Sequence, residues 1–109
     1  SYNASPTSMR SALEQLAKRT GRRVAVLGAM LELGDNEERF HEEVGQYARK
    51  HADYIIAIGE LAKHYRADEW YETSDEAAAK IVAFLRKGDS ILVKGSHGIR
   101  TDKIVEAIT

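Results

Sequence analysis

Cysteine is absent from this 109-residue sequence, which excludes a disulfide framework and a thiolate metal site and is compatible with the cytosol. Proline occurs once, at Pro6, and no Pro- or Gly-rich linker, low-complexity tract or internal repeat breaks the chain. No apolar run is long enough to span a bilayer, and no signal-peptide pattern is present, so membrane insertion is not expected. Neither charge sign dominates. With 16 Lys+Arg against 17 Asp+Glu the formal charge is -1, so no net field draws the chain to nucleic acid or to an acidic membrane, and any anion site has to be local. Three nucleotide and nucleophile signatures are missing too: G-x-x-x-x-G-K-[ST], G-x-G-x-x-G and G-x-S-x-G. The chain therefore has no phosphate cradle of either familiar kind and no acyl-enzyme serine.

What is present alternates between two periodicities. Ser5-Pro6 reads as an N-cap followed by proline at the first helical position, and Met9, Ala12, Leu13, Leu16 and Ala17 mark one face of a helix ending near Thr20. Arg23 to Gly28 is a short apolar run rich in β-branched residues and ended by glycine, as expected of a strand covered on both faces, and Tyr54 to Ile58 with Gly59 repeats the pattern. Between them, Asp35 with Glu38 resembles a capping box before the face Phe40, Val44, Tyr47 and Ala48. Glu60–Tyr65 reads as a short helix, and Trp70–Glu72 as a short strand. Thr73 with Glu76 then resembles a cap for the face Ala77, Ala78, Ile81, Val82 and Leu85. Lys87-Gly88-Asp89 is a turn, Ser90–Lys94 a last strand, and Thr101 the cap of a terminal helix carrying Ile104, Val105 and Ile108. The length fits one domain, burying roughly two-thirds of its unfolded surface. The alternation gives a single α/β domain with a doubly wound, mostly parallel open sheet.

In such a sheet ligands lie beyond the carboxyl ends of the strands, which singles out the loops GAMLELG, GELAKHY and KGSHGIR. In the last, two glycines bracket polar side chains while Lys94, Arg100 and Lys103 bring cations near exposed amides, a combination suited to a carboxylate or phosphate. A turn with merely solvated basic residues accounts for it equally well. Leu31 and Leu33 suit satellite core better than a pocket lining. Gly45, inside a helix, marks a close approach. His41, His51, His64 and His97 lack metal-ligand spacing with one another, and no metal site and no catalytic residue is assigned.

Together these phrases carry a resemblance. SYNASPTSM is similar to a D-x-Y-N-A-N-P-x-S-M signature, GAMLELG to G-D-M-L-E-L-G and VKGSHG to V-K-G-S-R-G, all of the MurF-type Mur ligases, the UDP-N-acetylmuramoyl-tripeptide:D-alanyl-D-alanine ligase family. His41, Val44 and Gly45, and Gly59-Glu60-Leu61, also fall where that family carries them. The resemblance covers nearly the whole chain. It implies the carboxy-terminal, Rossmann-like domain of a three-domain cytoplasmic, monomeric enzyme of bacterial cell-wall synthesis, with the amino-terminal and central ATPase domains outside residues 1–109. The family's reaction uses Mg²⁺ and ATP to activate the carboxylate of UDP-N-acetylmuramoyl-tripeptide, which the amine of D-alanyl-D-alanine then attacks. By that resemblance Tyr2, Asn3, Pro6 and Ser8 face the nucleotide, after an Asp expected just before Ser1. By analogy with a sibling ligase, Lys94, Gly95, Ser96 and His97 hold D-alanyl-D-alanine. The domain alone is expected to be inactive and to hold no cofactor tightly. Ala29, Ser5 and His97 depart from the family's acidic residue, Asn and Arg. The alternative is a free-standing α/β module that binds a small anion or nucleotide through KGSHGIR.

Overall fold

A computed structural model describes residues 4–95 in full and the backbone of residues 103–106. Two apolar runs set its frame. Strands β1 (Arg23–Gly28) and β2 (Tyr54–Ile58) are buried at every position after the first, as strands covered on both faces must be. They pair in parallel, Val24 opposite Tyr54 through Gly28 opposite Ile58. Strand β3 (Glu69–Tyr71) adds in parallel to β2, and β4 (Ser90–Lys94) adds in parallel to the other side of β1, from Arg23 opposite Ser90 to Leu27 opposite Lys94. A fifth strand, β5 (Lys103–Glu106), runs antiparallel to β4 and completes the order β3-β2-β1-β4-β5. The switch point, where chain order reverses, lies between β1 and β4.

Side-chain alternation along the strands divides the core in two. Ala25, Leu27, Ile55, Ala57 and Leu92 face helices α1 (Pro6–Ala17) and α2 (Glu37–His51), together with the 3-10 helix Leu61–Tyr65. Val24, Val26, Ile56, Ile58 and Ile91 face helix α3 (Ser74–Phe84). Helices on both faces of a mostly parallel sheet make this the doubly wound α/β domain expected from the sequence.

The helix starts are written locally. Ser5 and Ser8 form a reciprocal capping box ahead of α1, Ser8 N–H to Ser5 Oγ at 3.1 Å and Ser5 N–H to Ser8 Oγ at 2.9 Å, with Pro6 at the first helical position. Thr73 and Glu76 cap α3 in the same way. The box expected from Asp35 and Glu38 does not form. Gly34, at φ +66°, opens a 3-10 turn over Gly34–Asn36 that takes up Asp35, so α2 starts at Glu37 after Asn36, whose side chain makes no cap. Glu37 and Glu38 instead lie in the first turn, favourable for the helix dipole.

Two further expectations are corrected. The terminal helix is not there over residues 103–106: Ile104 and Val105 belong to β5, opposite Leu92 and Ile91, while Ile108 lies outside the described residues. A four-residue segment with two β-branched residues at its centre, Ile104 and Val105, gains a ladder of hydrogen bonds by pairing with an otherwise open strand. On α3 the inward stripe is Ala77, Ile81, Phe84 and Leu85; Ala78 is exposed and Val82 is 76% exposed.

At the amino edge of the sheet the turn Lys87-Gly88-Asp89 is tied to the residue before β1. Arg22 forks onto Asp89, Nε to Oδ1 at 3.0 Å and Nη2 to Oδ2 at 2.7 Å, and also donates to the Phe84 carbonyl while its guanidinium lies over the Phe84 ring. The Arg86 amide donates to Asp89 Oδ2 at 2.8 Å. The Asp89 side chain is 3% exposed and that of Arg22 24%. Asp89→Ala is expected to cost about 2–3 kcal/mol in urea unfolding, because it strands a half-buried guanidinium and a loop amide. The hydrogen bond from Arg22, offset in part by burial, holds the Asp89 carboxyl below its ordinary value of 3.8. Its stabilisation is therefore complete above that value and is lost as pH falls through the lower folded value, and the variant should show a shallower acid limb.

Candidate functional site at the carboxyl edge of the sheet

The ends of α1 locate its first turn. Arg23 donates to the Ala17 carbonyl at 3.0 Å and Ser90 Oγ to the Thr20 carbonyl at 3.1 Å, so the end of α1 sits where β1 and β4 begin. Its 12 residues, about 18 Å of helix, run back across β4 and β1 and bring Ser5-Pro6 to the carboxyl edge. At that same edge Gly28 ends β1, and Gly59 and Gly95 follow β2 and β4.

At the switch point the backbones of β1 and β4 meet. A Cβ built on Gly95 would lie 2.5 Å from Gly28 Cα and 2.7 Å from Gly28 N, a separation that no side chain survives. Lys94, one residue earlier and opposite Leu27, is 7% exposed at the end of β4.

The exit of β1 is fastened from below. Tyr65, fully buried, donates its hydroxyl to the Gly28 carbonyl at 2.8 Å. Two residues on, the Met30 amide donates to His41 Nε2 at 3.0 Å, and His41 Nδ1 stands 2.6 Å from the Glu37 carbonyl. A ring that accepts at Nε2 and faces a carbonyl at Nδ1 is the neutral Nδ1–H tautomer. Burial, the largest influence, depresses the His41 pKa below its ordinary 6.5, the Glu37 carbonyl opposing it. The two rings pack at 4.9 Å between centroids, tilted by 47°. Burial also drives the Tyr65 phenol up, so it stays a donor. Met30 is wholly buried by this arrangement, whereas Leu31 and Leu33 are half-buried, Leu33 against the core.

A family model described as the Mur ligase, glutamate ligase domain matches residues 1–97. The chain belongs to that Mur ligase family. At 36% identity over 96% of the chain it is similar to the UDP-N-acetylmuramoyl-tripeptide--D-alanyl-D-alanine ligase of Bacillus subtilis, and at 32% over 99% to that of Escherichia coli. It spans about a quarter of the length of these curated relatives, 26% and 25%. Among solved structures it superimposes on the MurF ligase of Thermotoga maritima in complex with ADP, with a TM-score of 0.76, 30% identity and 92% of this chain against 24% of that one. For MurF of Acinetobacter baumannii the values are 0.77, 33%, 88% and 23%.

Within this Mur ligase domain the residues singled out from sequence divide three ways. Lys94 and Gly95 stand at the switch point. Pro6 and Ser8 lie at the same edge, but the Ser8 hydroxyl is committed to the cap, accepting from Ser5 N–H and donating to the Ser5 carbonyl at 3.1 Å. Tyr2, Asn3, Ser96 and His97 lie outside the described residues. His41 and Tyr65 were not singled out as site residues. A polar residue on the apolar stripe of α2, at the turn shared with Val44 and Gly45, was the available signal for His41.

Two other places offer polar groups. Glu38, Glu42 and His64 present carboxylate and imidazole atoms within 4.8 Å of one another on the outer surface of α2 and the following 3-10 helix. Glu42 faces Arg66 at 3.5 Å, outside the trio, and Glu38 stands 3.9 Å from His64 within it. An open cleft lined by Trp70, Tyr71, Glu72, Glu76 and Lys80 lies at the β3 edge, two strands from the switch point. Among the described residues no helix is long and apolar enough to cross a membrane.

Proposed function

We propose that this chain is the carboxy-terminal domain of a cytoplasmic, monomeric ligase that joins D-alanyl-D-alanine to UDP-N-acetylmuramoyl-tripeptide in peptidoglycan synthesis. The observation that carries it is the meeting of Gly95 with Gly28 at the switch point, beside the first turn of α1. It places the two loops that most resemble the family's at one edge. The names of the relatives supply the substrates.

ATP with Mg²⁺ would supply the phosphoryl group that activates the acceptor carboxylate. This chain does not fit the role of holding it alone: it has no phosphate loop, and the Ser8 hydroxyl is spent on the helix cap. Nucleotide binding then belongs chiefly to the ligase's central domain, with the segment around Tyr2 and Asn3 closing over it. The domain's own residues position the amine. Lys94, with Gly95, Ser96 and His97, holds the dipeptide carboxylate by charge and backbone amides, and closure of the domain brings the amine to the activated carbonyl and excludes water.

Lys94→Ala in the intact ligase is expected to raise KM for D-alanyl-D-alanine about 10- to 100-fold, the loss of one charge-assisted hydrogen bond, with a smaller change in kcat. An unchanged KM removes Lys94 from the site. Calorimetry on the 109-residue chain separates the free-standing alternative: the ligase reading expects no measurable ATP binding at micromolar concentration, and tight binding favours a nucleotide-binding module instead.

A further inference from the structure

We infer that His41 and Tyr65 are positioning residues that fix the exit of β1 from beneath, and through Gly28 set the seat on which Gly95 rests. The functional consequence rests on the proposal that Lys94 and Gly95 take part in holding the dipeptide; the seat itself does not.

Neither residue reaches the edge. Both are fully buried, and neither contributes to capping a helix or to the strand ladders. The Tyr65 hydroxyl goes to the Gly28 carbonyl and His41 Nε2 to the Met30 amide, two groups at the point where β1 stops being a strand, while His41 Nδ1 is held by the Glu37 carbonyl of its own helix. Those groups need partners because the sheet ladder ends at Gly28 while the chain is still buried. A leucine or phenylalanine would fill the same volume and leave them unpaired, so packing alone does not account for these side chains. Above them, Gly28 is the surface Gly95 touches, through its N, Cα and C. A displacement of Gly28 by a few tenths of an ångström has no gap to absorb it and must pass to Gly95. The coupling runs in series from His41 to Tyr65, from Tyr65 to Gly28 and from Gly28 to Gly95 at the end of β4, with the His41–Met30 bond as a parallel branch.

NMR on the 109-residue chain tests this without substrate. In the parent, long-range nitrogen–proton spectra at pH 7 should show His41 neutral with its proton on Nδ1. Tyr65→Phe keeps the ring and removes one hydrogen bond; it should move the Gly95 amide signal more than signals in β3 or α3. His41→Leu should speed exchange of the Met30 amide about tenfold, the worth of one buried hydrogen bond, while His41→Gln, which returns an acceptor near Nε2, should recover most of that protection. An Nε2–H tautomer, a Gly95 signal unmoved by Tyr65→Phe, or equal Met30 exchange in the Leu and Gln variants each overturns the inference. Should His41→Leu fail to fold, the tautomer and the Tyr65→Phe spectrum still decide it. Because no substrate is added, the seat can fail while Lys94→Ala still supports the ligase, and the reverse.

Discussion

Gly95→Ala is expected to cost about 3 kcal/mol in this chain and to lower its melting temperature by more than about 10 °C, read by circular dichroism. The added Cβ would meet Gly28 Cα at 2.5 Å, N at 2.7 Å and C at 2.9 Å, and all three are backbone. A flexible side chain could swing aside; a strand hydrogen-bonded to β2 and β4 on its two sides cannot. One of the two strand exits has to move by roughly 1 Å, since carbon atoms prefer a separation near 3.5–4.0 Å. The move also displaces Lys94, so in the intact ligase kcat/KM for the dipeptide should fall about 100-fold, the scale on which a misplacement of 1 Å is felt. Gly34→Ala is the control. It too adds a carbon to a glycine, here the first residue of the 3-10 turn with φ at +66°, but no atom stands within 4 Å of the added carbon, so only left-handed strain of about 1 kcal/mol is expected. Equal losses in the two variants would mean that the switch point is not packed as described.

Much of this site was legible because the strands announce themselves. Val24–Leu27 and Tyr54–Ile58 are short, β-rich and closed by glycine, and a strand buried on both faces has few other ways to be written. Lys94 and Gly95 could then be placed at a carboxyl edge by the rule for open sheets. Their contact with Gly28 could not, since strand order is set by pairing between residues some 67 apart, and nothing local records it. The same blindness produced the helix expected over Ile104 and Val105. A short β-branched run satisfies a helical and an extended pattern alike, and only the open side of β4 decides between them. His41 was passed over for a different reason. Histidine on an amphipathic helix is ordinarily a surface residue, and its burial depends on an amide eleven residues back that needs an acceptor. On α3 the apolar positions were too many: Ala78 and Val82 fit the helical period as well as Phe84 does, and the narrow contact with the sheet selected among them.

For Gly45→Ala two effects of opposite sign compete, and their magnitudes favour a net loss. Alanine in the interior of α2 would stabilise the helix by about 1 kcal/mol over glycine. Against this, the added Cβ falls 2.2 Å from the Tyr65 carbonyl oxygen and 2.8 Å from its carbonyl carbon and Cα. Contact at that range forces α2 and the 3-10 helix apart, and overpacking of this kind costs about 3 kcal/mol or more. The net expectation is a loss of at least about 2 kcal/mol in urea unfolding with the m-value unchanged. A gain would show that the 3-10 helix is free to withdraw. Withdrawal carries a second consequence, because Tyr65 is the residue that reaches from that helix to the Gly28 carbonyl. Gly45→Ala should therefore disturb the exit of β1 as Tyr65→Phe does, moving the Gly95 amide signal, although position 45 touches neither glycine. A small residue in the middle of a helix thus lets the 3-10 helix come close enough for its tyrosine to reach the strand.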